Sequence, residues 1–146
     1  MPNNYNKEND LGYKLNIKSI EAYEKGDYIK AFFLQAEALE NSVTLMIAGR
    51  ARHLRMSEKE VQKLAYKGNF NTKINNLIKI SGEEFSYLCN GLHDYRERRN
   101  RIIHRKSEFK NEAELERYAK ESWERGTNII VFFIDSIKNY PTWEEY

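Results

Sequence analysis

From His93 to Lys106 the chain reads His-Asp-Tyr-Arg-Glu-Arg-Arg-Asn-Arg-Ile-Ile-His-Arg-Lys. Imidazoles at 93 and 104, an amide at 100 and guanidiniums at 96, 98, 99, 101 and 105 suit proton transfer and the holding of anionic groups. Wound as an α-helix at about 100° per residue, Leu88, Leu92, Tyr95, Arg99 and Ile102 fall within roughly 40° either side of a common line. Arg99 thus sits in the middle of an apolar stripe. A guanidinium in that place must be desolvated, paired, or exposed through a gap in the packing. One flank of the stripe carries Arg96, Asn100 and His104 at i, i+4 and i+8, with His93 on the same side. Asn100 and His104 are one turn apart and can share a ligand. The plainer alternative is a basic amphipathic helix with solvated arginines, in which Arg99 snorkels past Tyr95 and His93 is a surface histidine. Arg98, Arg101 and Arg105 read as solvated charges or as phosphate-steering groups. The 10 tyrosines are scattered at core spacings and suggest packing rather than a stacking platform.

Helices must position this run. The only prolines are Pro2 and Pro141, so the strongest helix breaker is missing from everything between them. Ile29, Phe32, Ala36, Leu39, Val43 and Met46 recur at spacings of three and four, which predicts one long helix. Tyr13, Ile17 and Ile20 mark a shorter one before it, with Gly26 as its C′ residue and Asp27 as the next N-cap. Ser57-Glu58-Lys59-Glu60 reads as a capping box opening a short helix through about Tyr66, ended by Lys67-Gly68-Asn69. A further short helix carries Ile74, Leu77 and Ile78 and stops near Ser81-Gly82. Glu83 and Glu84 supply negative charge at the start of the helix bearing Phe85, Leu88, Leu92, Tyr95 and Ile102. The last helix runs from about Asn111 to Asn139, with Leu115, Tyr118, Ser122, Ile129, Phe133 and Ile137 inward and Pro141 as its stop. The run Ile129 to Ile134 is rich enough in β-branched and aromatic residues for a buried strand. A lone strand would have no partner here, so the helical reading is taken.

The 146 residues suit one domain with one core. Lys+Arg 24 against Asp+Glu 22 leaves a formal charge of +2, so any attraction for nucleic acid must be local. Hydrophobic residues at 40% and aromatic residues at 13% exclude intrinsic disorder. No apolar run approaches the ~18–20 residues of a membrane span. Cys89 is alone, which excludes an internal disulfide and a cysteine-cluster zinc site, and no His-rich or carboxylate-rich ligand set is visible. The opening residues Met1 to Glu8 carry no apolar signal region, so the expectation is a cytoplasmic protein without membrane partners. Residues 1–9 are expected to fray and 10–146 to form the single domain.

Arg99-Asn100-Arg101-Ile102-Ile103-His104 resembles the signature of the HEPN superfamily (higher eukaryotes and prokaryotes nucleotide-binding). That signature is an arginine, a polar residue that is often asparagine, then a short spacer and a histidine. Four residues intervene here between Arg99 and His104. Arg98 is an alternative start with five intervening residues, but the Arg-Asn pair favours Arg99. The early long helix after a Gly-Asp turn, with Ala31, Ala36 and Ala38 on its apolar face, is similar to the family's N-terminal hairpin. The resemblance covers about residues 10 to 139.

It implies an all-α, HEPN-like antiparallel bundle of four to six helices that pairs as a homodimer with two motifs at the interface. It also implies a metal-independent endoribonuclease without cofactor, the toxin or effector of a prokaryotic defence or toxin–antitoxin system. The alternative is a non-catalytic nucleotide- or RNA-binding or protein-interaction module. Arg99, Asn100 and His104 would be the catalytic residues, and Arg96, Arg98, Arg101, Arg105 and Lys106 the RNA- or phosphate-binding ones. An antitoxin or a nucleotidyltransferase would be the partner protein. In family toxins silenced by a nucleotidyltransferase, a modified tyrosine follows two places after the histidine. Lys106 stands there in this chain, which argues against that form of control and leaves room for a non-covalent antitoxin.

Overall fold

The computed structural model describes residues 11–82 and 85–139, with side chains to Phe132. Six α-helices and no strand are present among the described residues. The expected fraying of residues 1–9, the charges at Glu83 and Glu84, the inward Phe133 and Ile137 and the stop at Pro141 lie outside the described residues.

The first two helices, α1 (Leu11–Glu24) and α2 (Tyr28–His53), form an antiparallel hairpin. Asp27 N–H donates to Ala22 O at 2.9 Å and Gly26 N–H to Tyr23 O at 3.0 Å, the two bonds of a Schellman turn. Such a turn needs a left-handed residue at C′, and Gly26 supplies it at φ 80°. Asp27 then caps α2 by accepting from Lys30 N–H at 3.4 Å. The predicted α2 stripe is the core: Phe32, Ala36, Leu39, Val43 and Met46 are buried, and Ile29 packs against them.

The α1 stripe lies elsewhere. Tyr13, Ile17 and Ile20 are 42%, 40% and 39% exposed, while Gly12, Ser19 and Ala22 are buried. Small residues let the α1 backbone approach α2 closely, and Ser19 Oγ donates to Ala31 O at 2.7 Å across the seam. Close approach therefore outweighs the larger side chains in setting the helix's rotation.

The Ser57–Glu60 capping box opens α3 (Glu58–Val61), which widens into a π turn over Gln62–Tyr66. Asn69 caps α4 (Phe70–Ser81), accepting from Thr72 N–H at 2.9 Å. Ile74 and Leu77 are buried as expected, whereas Ile78 is exposed. Gly82 at φ 81° ends α4, and α5 (Ser86–His104) follows with Leu88, Leu92, Tyr95 and Ile102 buried.

A short 3-10 turn, Lys106–Glu108, leads to α6 (Glu112–Asn139). Ile129 to Ile134 is helical, so the strand alternative is excluded. Central helix α2 packs against α1, α4 and α6, and α5 lies against α4 and α6. One buried polar node fastens α6. Gln35 is fully buried, donates to Trp123 O at 2.9 Å and accepts from the Tyr95 hydroxyl at 2.8 Å. Burial without such partners would cost roughly 1–3 kcal/mol. Gly126 sits at this crossing, where a Cβ would overlap Gln35 Oε1 and lie 2.6 Å from Tyr95 Cε2.

Candidate functional site

The last three turns of α5 carry the candidate residues, and the helix divides them among three directions. Toward α2 and α4 points Arg99. Its Nη1 lies 3.8 Å from Glu40 Oε2 on α2, and its guanidinium lies 5.7 Å from the centre of the Phe70 ring on α4. Lys73, also on α4, reaches the other oxygen of the same carboxylate at 3.9 Å. An arginine on an apolar stripe is thus accommodated by a counter-ion, an aromatic floor and partial exposure.

Toward α6 point Arg98 and Arg101. Arg98 Nη1 donates to Ser122 Oγ at 3.0 Å, and its guanidinium lies 4.7 Å from the Tyr118 ring centre. Its Nε is 3.6 Å from Asp94 Oδ2, and Asp94 also pairs with Arg125 at 3.0 Å. Arg101 lies 4.9 Å from both the Phe109 and Tyr118 ring centres and donates to Glu108 at 3.3 Å. The sequence reading of Arg98 as a solvated charge is therefore corrected: at 12% side-chain exposure it is a clamp between α5 and α6. Tyr118 and Ser122, inward on the same face of α6, create the place for it.

The third direction carries Arg96, Asn100 and His104, the row at i, i+4 and i+8. Arg96 Nη2 donates to Glu97 Oε1 at 3.0 Å, and Arg105 Nη2 lies 3.5 Å from Glu97 Oε2. Arg96 Nε, like Arg98 Nε, is buried and makes no hydrogen bond among the described residues. His93, half-buried one turn before Glu97, has its pKa lowered by burial and then by the Arg96 charge. Asn100 is half-buried and His104 is exposed as the final residue of α5; neither makes a side-chain hydrogen bond among the described residues. Lys106 is exposed on the 3-10 turn. Cys89 is fully buried, and burial pushes its thiol up to about 11, so it is held protonated at neutral pH.

Each of the five arginines has a carboxylate within 4.0 Å. Asp94 and Glu97 are visible in the sequence as local offsets. Glu40 and Glu108 are not, because they reach α5 through tertiary contacts. One signal points to Glu40: it stands beside Leu39 and four residues after Ala36, on the edge of the α2 stripe, where an acidic residue wants a cation from a facing stripe.

Among the described residues no three His, Cys, Asp or Glu side chains come together as a metal site, and no helix is long and apolar enough to cross a membrane. Comparison of the chain with family models, curated proteins and solved structures gives no match.

Proposed function

We propose that the chain is a HEPN-type, metal-independent endoribonuclease that acts as a homodimer in the cytoplasm, as the toxin or effector of a prokaryotic defence or toxin–antitoxin system. The observation that carries this reading is the division along α5. Arg98 is committed inside the fold at 12% side-chain exposure, while the Asn100 and His104 side chains, one turn apart near the end of α5, make no hydrogen bonds among the described residues. Arg99, turned toward α2 and α4, keeps a side chain that is 29% exposed. An imidazole and an amide on one face, with a partly exposed guanidinium on the neighbouring face, are groups that phosphodiester cleavage can use.

In the proposed reaction one His104 takes the proton of the ribose 2′-hydroxyl as its oxygen attacks phosphorus. The second His104 of the dimer gives a proton to the departing 5′-oxygen. Arg99 holds the phosphate and meets the charge that develops in the transition state, and Asn100 orients the imidazole or the phosphate. The products are a 2′,3′-cyclic phosphate and a 5′-hydroxyl. Total RNA incubated with chelator should be cleaved by wild type, and His104→Ala should be slower by at least about a hundredfold. Arg99→Ala should be affected comparably.

A second reading, a non-catalytic module that binds RNA or nucleotide, is favoured by the Glu40 carboxylate 3.8 Å from Arg99, which competes with charge developing on a reacting phosphate for that guanidinium. Wild type that binds RNA through Arg99 but cleaves none of a broad panel would replace the first reading with the second.

A further inference from the structure

Arg99 shares its carboxylate with a cation from another helix, and unlike the Asp94 carboxylate, which Arg98 shares with Arg125 at 3.0 Å, this one holds neither cation at hydrogen-bond distance. The trio Glu40, Lys73 and Arg99 brings α2, α4 and α5 to one point. We propose that Lys73 and Arg99 form a phosphate subsite whose resident counter-ion, the Glu40 carboxylate, is displaced when an RNA phosphodiester enters. This rests on the RNA-directed reading above and adds two residues outside the motif to it.

The geometry is that of a carboxylate attracted by two cations and locked by neither. Its oxygens lie 3.8 Å from Arg99 and 3.9 Å from Lys73, beyond the ~2.7–2.9 Å of a charge-assisted hydrogen bond. The fold does make tight pairs elsewhere, such as Arg125 with Asp94 at 3.0 Å and Arg52 with Glu58 at 3.1 Å. Among the described residues no other carboxylate lies within 4.0 Å of Lys73 or Arg99, so the trio carries an uncompensated positive charge. That charge is held partly away from water, with side-chain exposures of 13% for Lys73, 29% for Arg99 and 32% for Glu40. Two cations at fixed spacing around one loosely held anion favour exchange for an anion with more acceptor oxygens. A phosphodiester carries the same charge as the carboxylate and can approach both cations at hydrogen-bond distance. Phe70, 3% exposed beneath the guanidinium, keeps Arg99 in place while the anion changes. Glu40 then acts as a threshold: an isolated weak anion does not repay its displacement, whereas a strand anchored at neighbouring phosphates does.

Fluorescence anisotropy with a labelled single-stranded RNA of mixed sequence, over a salt series, tests this on the full chain. Lys73→Gln should weaken binding by about tenfold, the scale of one hydrogen bond to a charged group, and make the slope of log K against log salt shallower by about 0.7. Lys73→Arg should restore the slope. Glu40→Gln should tighten binding by roughly threefold or more, since the phosphate no longer competes with a fixed carboxylate. Should Glu40→Gln fail to fold, the Lys73→Gln and Lys73→Arg pair decides alone. Lys73→Gln and Glu40→Gln that shift the melting temperature while leaving affinity and salt slope at wild-type values would overturn the proposal. The nuclease reading fails separately. Cleavage that depends on His104 with unchanged binding by the Lys73 and Glu40 variants removes the subsite and keeps the nuclease. Binding that changes as stated in a chain that cleaves nothing keeps the subsite and removes the nuclease. Wild type that binds no RNA overturns both.

Discussion

Arg98 turns toward α6, where it donates to Ser122 and covers the Tyr118 ring, so truncating it removes a charged hydrogen bond from a buried hydroxyl and one of the two guanidiniums over that ring. Arg98→Ala is expected to cost about 2 kcal/mol in urea unfolding, the sum expected of one charged hydrogen bond and one cation–π contact in a mostly buried place. His93 supplies a second residue-scale test. Burial and Arg96 hold its pKa below the ordinary 6.5, so the unfolded chain takes up this proton more readily than the folded one. Stability from neutral His93 is complete above pH 6.5 and is lost as pH falls toward the depressed folded value. The melting temperature should therefore drop on acidification through that window, and His93→Gln should drop less. The sequence made the need for a partner at Arg99 legible, because angular position on a helix is a local property. It did not identify Glu40 and Phe70, because which side chains face a stripe depends on how three helices come together. The exchange of roles between Arg98 and Arg99 has the same origin: a residue one step round the helix met Tyr118 and Ser122 rather than water.

Helix ends were legible where capping chemistry is local. Gly26-Asp27, Ser57-Glu60 and Gly82 stand at the boundaries their types predict. Helix rotation was not. The α1 face follows Gly12, Ser19 and Ala22 rather than Tyr13, Ile17 and Ile20, since backbone proximity to α2 was the better packing solution. Gly126 was likewise silent in the sequence, where a mid-helix glycine reads only as a propensity penalty of about 1 kcal/mol. Its reason is tertiary, for it lets α6 cross against Gln35 and Tyr95. Gly126→Ala should therefore destabilise by about 3 kcal/mol, at the upper end of overpacking costs and against the gain that alanine brings to an ordinary helix. Chemical denaturation of the variant measures it; a neutral or stabilising result would mean that the α2–α6 crossing can widen freely.

At the scale of the whole molecule, the proposed two-fold pairing predicts that folding and association are linked. The melting temperature should rise with protein concentration in the micromolar range, as it does for any dimer whose partner binds only the folded state. Melting that is independent of concentration, with a monomer in sedimentation, would remove the shared His104 cleft. The polar node under α6 has a further consequence, for the growing chain. The bonds that fasten α6 to the hairpin span 88 and 104 residues, from Gln35 to Trp123 and from Trp123 to Ser19, against 12 for the bond that joins α1 to α2. During synthesis the hairpin emerges early, but the acceptor for the Gln35 amide is not made until residue 123. Until then the face of α2 that carries Gln35 beside Phe32 and Leu39 has no α6 to cover it. A nascent chain halted before Trp123 should hold α1 and α2 as helices, yet remain sensitive to protease along that face, and become resistant only when α6 has left the ribosome.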